Sequence, residues 1–508
     1  MINIDFLTLK AFFLENIDFL VGSKIQKIQQ PTRRDFIFCL RNNSESRKLY
    51  ININPSIYHI SFMNAESENR RNIVIPKQPP MFCMLLRKYV DGCRISDARV
   101  IANERILELH FETCDEFAQK RSLCLAVELM GKHSNIVLYD RETHLIIGCA
   151  HNVGEEKSRY RELRGGVKYI YPPQNSGIVL SDELKRQFSS LSQEEINGYL
   201  NTDKFNPAIL NDRYTLFSEL LENSVPQKSV NAMLDDYYSK FQEKLNLKTE
   251  KAKLTGIVET RLKKNKNSIF KLKMLLSRRE DGDKYKLYGE LLTSNLYQKA
   301  DYQKYIELFD YTNDKNIRIE LDETKTMNEN AQRYFKLYSK FKATKEKSME
   351  LLIGLNIELE YLENVMYSIE RADNKPELSE IEAELGVLPT MPKPKGKNDI
   401  TKFEIRGQDV FVGKNNKQND YIISRLSKDE DYWFHTRLCA GSHVLLKVNG
   451  TEPDERTIYE CAKLAREYSS AKQPSKIGVI YTKRKYIKKP PGAPLGYVTY
   501  SNEKEILI

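Results

Sequence analysis

Two short stretches of this chain gather the residue types that could meet a ligand. Asp431-Tyr-Trp-Phe-His-Thr-Arg-Leu-Cys-Ala-Gly-Ser-His-Val444 holds the only Trp and two of the seven His, and Glu128-Leu-Met-Gly-Lys-His-Ser-Asn135 lies about three hundred residues before it. Together they set aromatics, His and Lys beside glycine-bearing turns, the mixture that stacks on bases and meets the phosphates of structured RNA. On a strand, Trp433 and His435 would share one face while Tyr432 and Phe434 take the other, so one pair belongs to the core and the other is open to RNA. Arg437 and His443 are harder to explain as packing. Lys132 and His133 follow Gly131, where the chain can come close to a phosphate. A third run, from Ala471 to Pro490, carries seven Lys/Arg and no acid, interleaved with Tyr481 and Tyr486. Its Lys488-Lys-Pro-Pro-Gly492 end is a rigid turn that would fix Lys488 and Lys489. A buried Trp433 and a structural His133 are the competing readings.

No residue pattern asks for a nucleotide, a metal or covalent chemistry. There is no Walker loop and no metal-spaced His/Cys cluster. The eight Cys are scattered without a Cys-x-x-Cys pair, which predicts buried free thiols. Neither a cofactor, a metal nor a catalytic residue is expected. A net charge of +10, with 30% of residues charged, favours a polyanionic partner, although a solvated surface of mixed charge fits the same composition. Asp5, Lys10, Glu15 and Asp18 interrupt the apolar residues of the start, so no signal peptide is read there, and no run of about 18 apolar residues follows. A cytoplasmic chain without membrane contact is the expectation.

These segments need elements to hold them. At 508 residues the chain exceeds one core and should divide into about three domains. Periodicity predicts helices over 8–20 and 79–90 and strands over 24–29, 35–41, 49–52, 58–61, 99–100, 105–111, 121–129 and 134–139, an α+β module. Residues 181–240 read as a short helical region. Leu254, Val258, Leu262, Ile269, Leu272 and Leu276 then fall on one helical stripe. Leu352, Leu355, Leu359, Leu362, Met366 and Ile369 form a second, extended by Tyr334, Tyr338 and Phe341. Each stripe needs a partner, which predicts a long antiparallel coiled coil. At its tip would sit an insert with a helix over 284–297 and a hairpin of 305–311 and 316–321. The first arm is basic: residues 248–280 hold eleven Lys/Arg against three Glu, an excess of eight that suits phosphates. After a Pro/Gly-rich linker, strands over 403–406, 409–412, 444–448, 477–482 and 497–500 are expected to share a sheet with helices over 420–426 and 455–472.

At this point the residues resemble a known family, NFACT, over nearly the whole length. Ile25-Gln-Lys-Ile-Gln-Gln-Pro31, Met81-Phe-Cys-Met-Leu-Leu-Arg-Lys88, residues 128–135 and Tyr171-Pro-Pro are similar to its N-terminal domain. Tyr285-Lys-Leu-Tyr-Gly-Glu-Leu-Leu-Thr-Ser-Asn295 and Asn328-Glu-Asn-Ala-Gln-Arg-Tyr-Phe335 are similar to its coiled-coil segment. Residues 431–444, Tyr481-Thr and Lys488-Lys-Pro are similar to its C-terminal RNA-binding domain. The resemblance implies five regions. They are an N-terminal α+β domain over 1–174, with the fold of formamidopyrimidine-type DNA glycosylases, and a shortened helical region over 175–245, where the family's helix-hairpin-helix is eroded. A coiled coil over 246–385 with its tip insert near 281–325, a linker over 386–398 and an α+β RNA-binding domain over 399–508 complete the set.

The resemblance also implies a function. Family members bind a large ribosomal subunit, through its rRNA, that has split from a stalled ribosome and still carries peptidyl-tRNA. They bring in charged tRNA so that the nascent chain grows without a template, alanine being the residue added in bacteria, and an alanine tRNA is expected here. The ribosome's own peptidyl-transferase centre would make the bond, so this chain supplies positioning. In the family an Asp-Arg pair and a Glu-Ile-Met-Gly segment meet the tRNA anticodon arm. The matching positions are Glu104 and Arg105, and Glu128, Leu129 and Met130, with Lys132 and His133 beside them. Glu104 keeps the charge on an arm longer by one methylene, and Arg105 offers a planar fork of donors. In the C-terminal domain Trp433, His435, Arg437, His443, Lys488 and Lys489 are the expected RNA contacts. Two other classes compete. A glycosylase-like enzyme would need an N-terminal Pro amine, and the chain begins Met1-Ile2. A surface fibronectin-binding adhesin, implied by an older family name, would need an export signal, anchor or repeats.

Overall fold

The computed structural model describes residues 4–114, 119–154, 156, 160–173, 177–277, 280–298, 300–387, 400–471 and 476–508. They divide into two units, Met1–Asn246 and Leu247–Ile508. The expected linker segment 388–398 and Lys472 lie outside the described residues.

Unit one opens with α1 (Phe6–Leu20), which starts where the Asp5 carboxylate accepts the Thr8 N–H at 2.8 Å. Gly22, at φ +84°, turns the chain into the first sheet. That sheet is an antiparallel meander of β1 (Lys24–Gln29), β2 (Asp35–Asn42), β3 (Glu45–Asn52) and β4 (His59–Met63). After α2 (Ala65–Arg71) and α3 (Met81–Val90) comes a second meander, of β5 (Ile95–Val100), β6 (Ile106–Cys114), β7 (Lys120–Glu128), β8 (Asn135–Asp140) and β9 (Ile146–Cys149). One core, including Phe12, Phe36, Leu109 and Leu125, is shared by both sheets. The opposite face of the second sheet is also covered, by Leu163 and Tyr169 over Ala126, Val137 and Tyr139. Burial on both faces is why the sequence of β6 to β8 reads as apolar runs rather than strict alternation.

Residues 181–240 depart from the all-helical expectation. They hold α4 (Asp182–Phe188) and α5 (Gln193–Asn201), but then β10 (Ala208–Leu210), β11 (Arg213–Thr215) and β12 (Val225–Pro226), paired as one small sheet. Strands of two or three residues show no period, so the sequence hides them. The long helix α6 (Val230–Ser277) starts well before the expected 246. Glu15 accepts the Val230 and Asn231 N–H groups at 2.6 and 3.1 Å, and Met233, Leu234, Tyr237 and Tyr238 lie in the core of unit one.

In unit two, α7 (Glu280–Ser294), the hairpin β13 (Tyr305–Asp310) and β14 (Lys315–Glu320), and α8 (Met327–Arg371) follow. The helix and hairpin of the insert fall close to where the sequence places them. The Lys251 ammonium donates to the Glu370 carbonyl, Asn265 donates to Glu358, and Lys266 pairs with Glu363, so α6 and α8 run antiparallel. The stripe is buried at its inner end, at Leu254, Val258, Leu362, Val365 and Ile369. Further out, Leu272, Leu276, Leu352 and Leu355 are only half-buried, and Phe270, Met274 and Ile353 are exposed. There α7 lies against α8: a Cβ on Gly282 would come within 2.3 Å of the Phe341 ring and one on Gly289 within 2.9 Å of Phe335. After α9 (Lys375–Glu384), the C-terminal domain is built from β15 (Thr401–Ile405), β16 (Gln408–Val412), α10 (Asn416–Tyr421) with a π-helical turn Ile422–Leu426, β17 (Tyr432–Thr436), β18 (Val444–Leu446), α11 (Glu455–Glu467), β19 (Gly478–Lys483), β20 (Ile487–Lys488), β21 (Thr499–Tyr500) and β22 (Lys504–Leu507). The sheet order is β15-β16-β18-β17-β19-β22. The segment 497–500, expected to close this sheet, instead pairs with β20 as a separate ribbon, and β22 takes the edge.

Candidate RNA-binding site

The N-terminal candidates cluster where the turn between β5 and β6 meets the loop between β7 and β8. The Leu129 N–H donates to the Arg105 carbonyl at 2.9 Å, which ties the two segments together. Half-buried Arg105 donates from Nη1 to the Tyr58 hydroxyl at 2.9 Å, and its Nε is shut from water with no partner. Gly131, at φ +64°, opens a short 3-10 turn, Gly131–His133; a Cβ there would sit 3.6 Å from the Tyr58 ring. Lys132 and His133 stand exposed on that turn. Tyr58, which no sequence signal marked, is therefore the hinge between Arg105 and the glycine turn. Burial, with a smaller contribution from the charges of Arg34 and Arg33, holds the His151 pKa below its ordinary value.

Three expected contacts are not surface groups. Glu104 is 5% exposed and Glu128 and Leu129 are fully buried. Glu128 accepts from Arg161 Nη1 and Nη2 at 2.7 and 2.5 Å and from the Tyr169 hydroxyl at 2.8 Å. Its carboxylate is spent inside the protein. In this conformation Glu104, Glu128 and Leu129 shape the loops, whereas Arg105, half-buried Met130, Lys132 and His133 are the groups a ligand can reach. Sequence reasoning could not separate the two sets, because both carry polar side chains next to a turn.

On the covered face of the same sheet, Glu108, His110 and Cys124 bring three metal-ligand types within 4.8 Å of one another. Glu108 is already served by Arg99 at 2.7 Å, Tyr171 at 2.5 Å, Tyr139 at 3.0 Å and His110 at 3.3 Å. Burial works to raise its pKa, yet the hydrogen bonds from His110, Tyr171 and Arg99 win and hold it at about 2. A carboxylate with its lone pairs spent is an internal anchor rather than an open coordination site.

The C-terminal candidates divide in the same way. Phe434 packs under α11 in one core, and Trp433, on the other strand face, is buried against Ile422, Leu445 and Ile487 in a second. Both faces of β17 are thus largely covered, against the expectation that one pair stays open to RNA: Trp433 is 1% exposed and Phe434 fully buried, with Tyr432 and His435 half-buried, and His443, beyond the strand, is 3% exposed. His435 is half-buried; burial lowers its pKa, and it lowers that of His443 well below the ordinary value, so both rings are held neutral. Arg437 is exposed but pairs with Glu505 at 2.5 Å. The basic run meets acids brought in by the fold. Lys483 contacts Glu430 and Glu452, Lys485 contacts Glu430, and Lys489 contacts Asp420. Lys488 is exposed and has no ion pair among the described residues.

An α+β protein whose reachable cations cluster on loops, around half-buried aromatics, is of the nucleic-acid-binding class. The family described as NFACT N-terminal and middle domains matches residues 5–203 and 179–400, and the NFACT protein RNA binding domain matches residues 401–501. The chain belongs to the NFACT family. Among its relatives, the Rqc2 homolog RqcH of Bacillus subtilis (strain 168) is 31% identical over 96% of this chain and 95% of its own length. The Rqc2 homolog RqcH of Streptococcus suis (strain 05ZYH33) is 30% identical, again over 96% of this chain and 95% of the relative. A solved structure of the N-terminal part of the fibronectin/fibrinogen-binding protein from Streptococcus suis matches 47% of this chain and 100% of its own, at 26% identity and a TM-score of 0.41. Among the described residues no helix is long and apolar enough to cross a membrane.

Proposed function

We propose that this chain is a cytoplasmic ribosome quality control factor that binds a stalled large ribosomal subunit carrying peptidyl-tRNA and recruits a charged tRNA, of the alanine class, for template-free extension of the nascent chain. The observation that carries the reading is the likeness to Rqc2 homologues along nearly the whole chain, with an RNA-binding domain at its end. Bond formation falls to the ribosome, and the chain positions its partners. Arg105, supported by Tyr58 and flanked by Lys132 and His133, is the proposed contact to the tRNA, with Glu104, Glu128 and Leu129 holding the loops in shape. The basic stretch of α6 is the proposed rRNA contact.

Substituting Arg105→Ala should lower tRNA recovered with the purified protein by roughly tenfold or more, in the range of one good guanidinium contact, while cosedimentation with free large subunits persists. Sequencing the copurified RNA reads both at once. A variant that keeps its tRNA would remove Arg105 from the site, and a wild-type protein that brings down neither tRNA nor subunit would end the whole reading. An adhesin would instead be found on intact cells.

A further inference from the structure

The buried aromatic group of the C-terminal domain holds more than packing accounts for. Trp433 and His443 are in contact, their ring centroids 5.3 Å apart and perpendicular. Trp433 Nε1 and His443 Nδ1 are both shut from water and have no hydrogen-bond partner; among the described residues of this domain they are the two side-chain atoms in that condition. Unpaired buried polar atoms are selected against, so two of them on touching rings are what a further polar group would satisfy. His435 lies parallel to Trp433 at 5.7 Å, with its Nε2 3.3 Å from the Gly441 carbonyl, which holds the arrangement in place.

One side of this site is closed by a short ribbon, whose Ile487 packs against Trp433. Tyr500 lies 5.6 Å from Trp433 at 40°, and it belongs to the β20–β21 ribbon, whose strands are two residues long. The ribbon is tied down through Asp420, which meets Lys489 and the Gly496 N–H, through Arg484 Nη1, which donates to the Ile487 carbonyl at 3.1 Å, and through the Thr482 hydroxyl, which donates to the Ser501 carbonyl at 2.9 Å. Tyr500 itself is 40% exposed.

We propose that the ribbon lifts to admit one unstacked nucleobase, which lies against Trp433 and Tyr500 while polar atoms of its edge and sugar engage Trp433 Nε1 and His443 Nδ1. Single-stranded RNA presents such splayed bases, and aromatic faces take them whatever the sequence. The slot itself offers ring faces and uncharged edge atoms: burial lowers the pKa of both histidines and Arg437 is spent on Glu505, while exposed Lys488 of the same ribbon stays open to a phosphate. The inference rests on reading this domain as RNA-binding and adds the ligand class.

Because Trp433 is the only Trp in the chain, its fluorescence reports the site alone. The full-length protein is titrated with a short single-stranded RNA and with the same strand made abasic, while anisotropy of labelled tRNA is followed separately. The inference predicts saturable quenching by the first strand and little by the second. Tyr500→Ala should weaken that quenching response by roughly five- to a hundredfold, the range for loss of one stacking partner, and His443→Phe should weaken it while leaving the Trp433 emission of the free protein near its wild-type position. If tRNA binds by anisotropy and Trp433 emission stays unchanged with either strand, the orphan atoms are served by water and the slot is overturned. If labelled tRNA does not bind, the tRNA-recruitment reading falls instead, and saturable quenching by the short strand would still support the slot.

Discussion

Glu128 shows how far a side chain's job depends on what the fold brings to it. Arg161 and Tyr169 lie more than thirty positions downstream, and no local pattern links them to Glu128. A buried ion pair broken on one side leaves the other charge stranded. Glu128→Ala should therefore destabilise unit one by about 3–5 kcal/mol, read as a lower denaturation midpoint, whether or not RNA is present. A loss below about 1 kcal/mol, the range of an exposed pair, would mean that the pair is hydrated in solution. The same blindness affected Trp433: alternation along β17 was legible, but the sequence cannot say that both faces are covered, because the cover comes from α11 on one side and from Ile422 and the distant ribbon on the other. Gly131 was legible as a turn. Its neighbour Tyr58, just before β4, was not.

At the level of elements, legibility followed length. The tip hairpin, the strands of the first sheet and the long helices apart from the early start of α6 stand near their expected places because each carries several periods of pattern. Strands β10, β11, β12 and β20 do not, being too short to have a period. The contact between α7 and α8 gives a sharp contrast between two glycines. Gly354 of α8 has open space where a Cβ would be, whereas Gly282 faces the Phe341 ring. Gly354→Ala should stabilise by about 0.5–1 kcal/mol through helix propensity. Gly282→Ala should forfeit that gain or cost up to about 1–3 kcal/mol, because the half-buried Phe341 ring has to shift to make room. Thermal unfolding of the two variants side by side decides it: equal shifts would mean that α7 does not approach α8 so closely in solution.

For the whole molecule, charge and protonation matter more than any single contact. Net charge suggested a polyanionic partner, yet Lys483 and Lys485 of the C-terminal basic run are paired with Glu430 and Glu452, and neither acid is adjacent in sequence. Composition counts charges and the fold decides which remain free. His59, His435 and His443 all act in one direction. Burial, helped by Arg71, holds His59 at about 3, and burial also lowers His435 and, more strongly, His443. Unfolded, each takes a proton near its ordinary value of about 6.5. Below that pH the unfolded chain binds more protons than the native one, so stability is intact above about pH 6.5 and falls as the pH drops toward 3. Denaturation midpoints measured from pH 7 to 5 should fall steadily; a flat profile would show that these rings are open to solvent.

The early start of α6 sets a lower limit on any autonomous N-terminal fragment. Met233, Leu234, Tyr237 and Tyr238 form part of the floor of its interior, and Asp235 meets the fully enclosed Arg71 at 2.7 Å. A truncation at residue 229 would thus remove an interior wall and strand a guanidinium, while leaving every expected RNA contact of that half in the polypeptide. Loss of nucleic-acid affinity in such a truncate would report collapse of its scaffold, and only a fragment carried past Phe241 tests the binding surface itself.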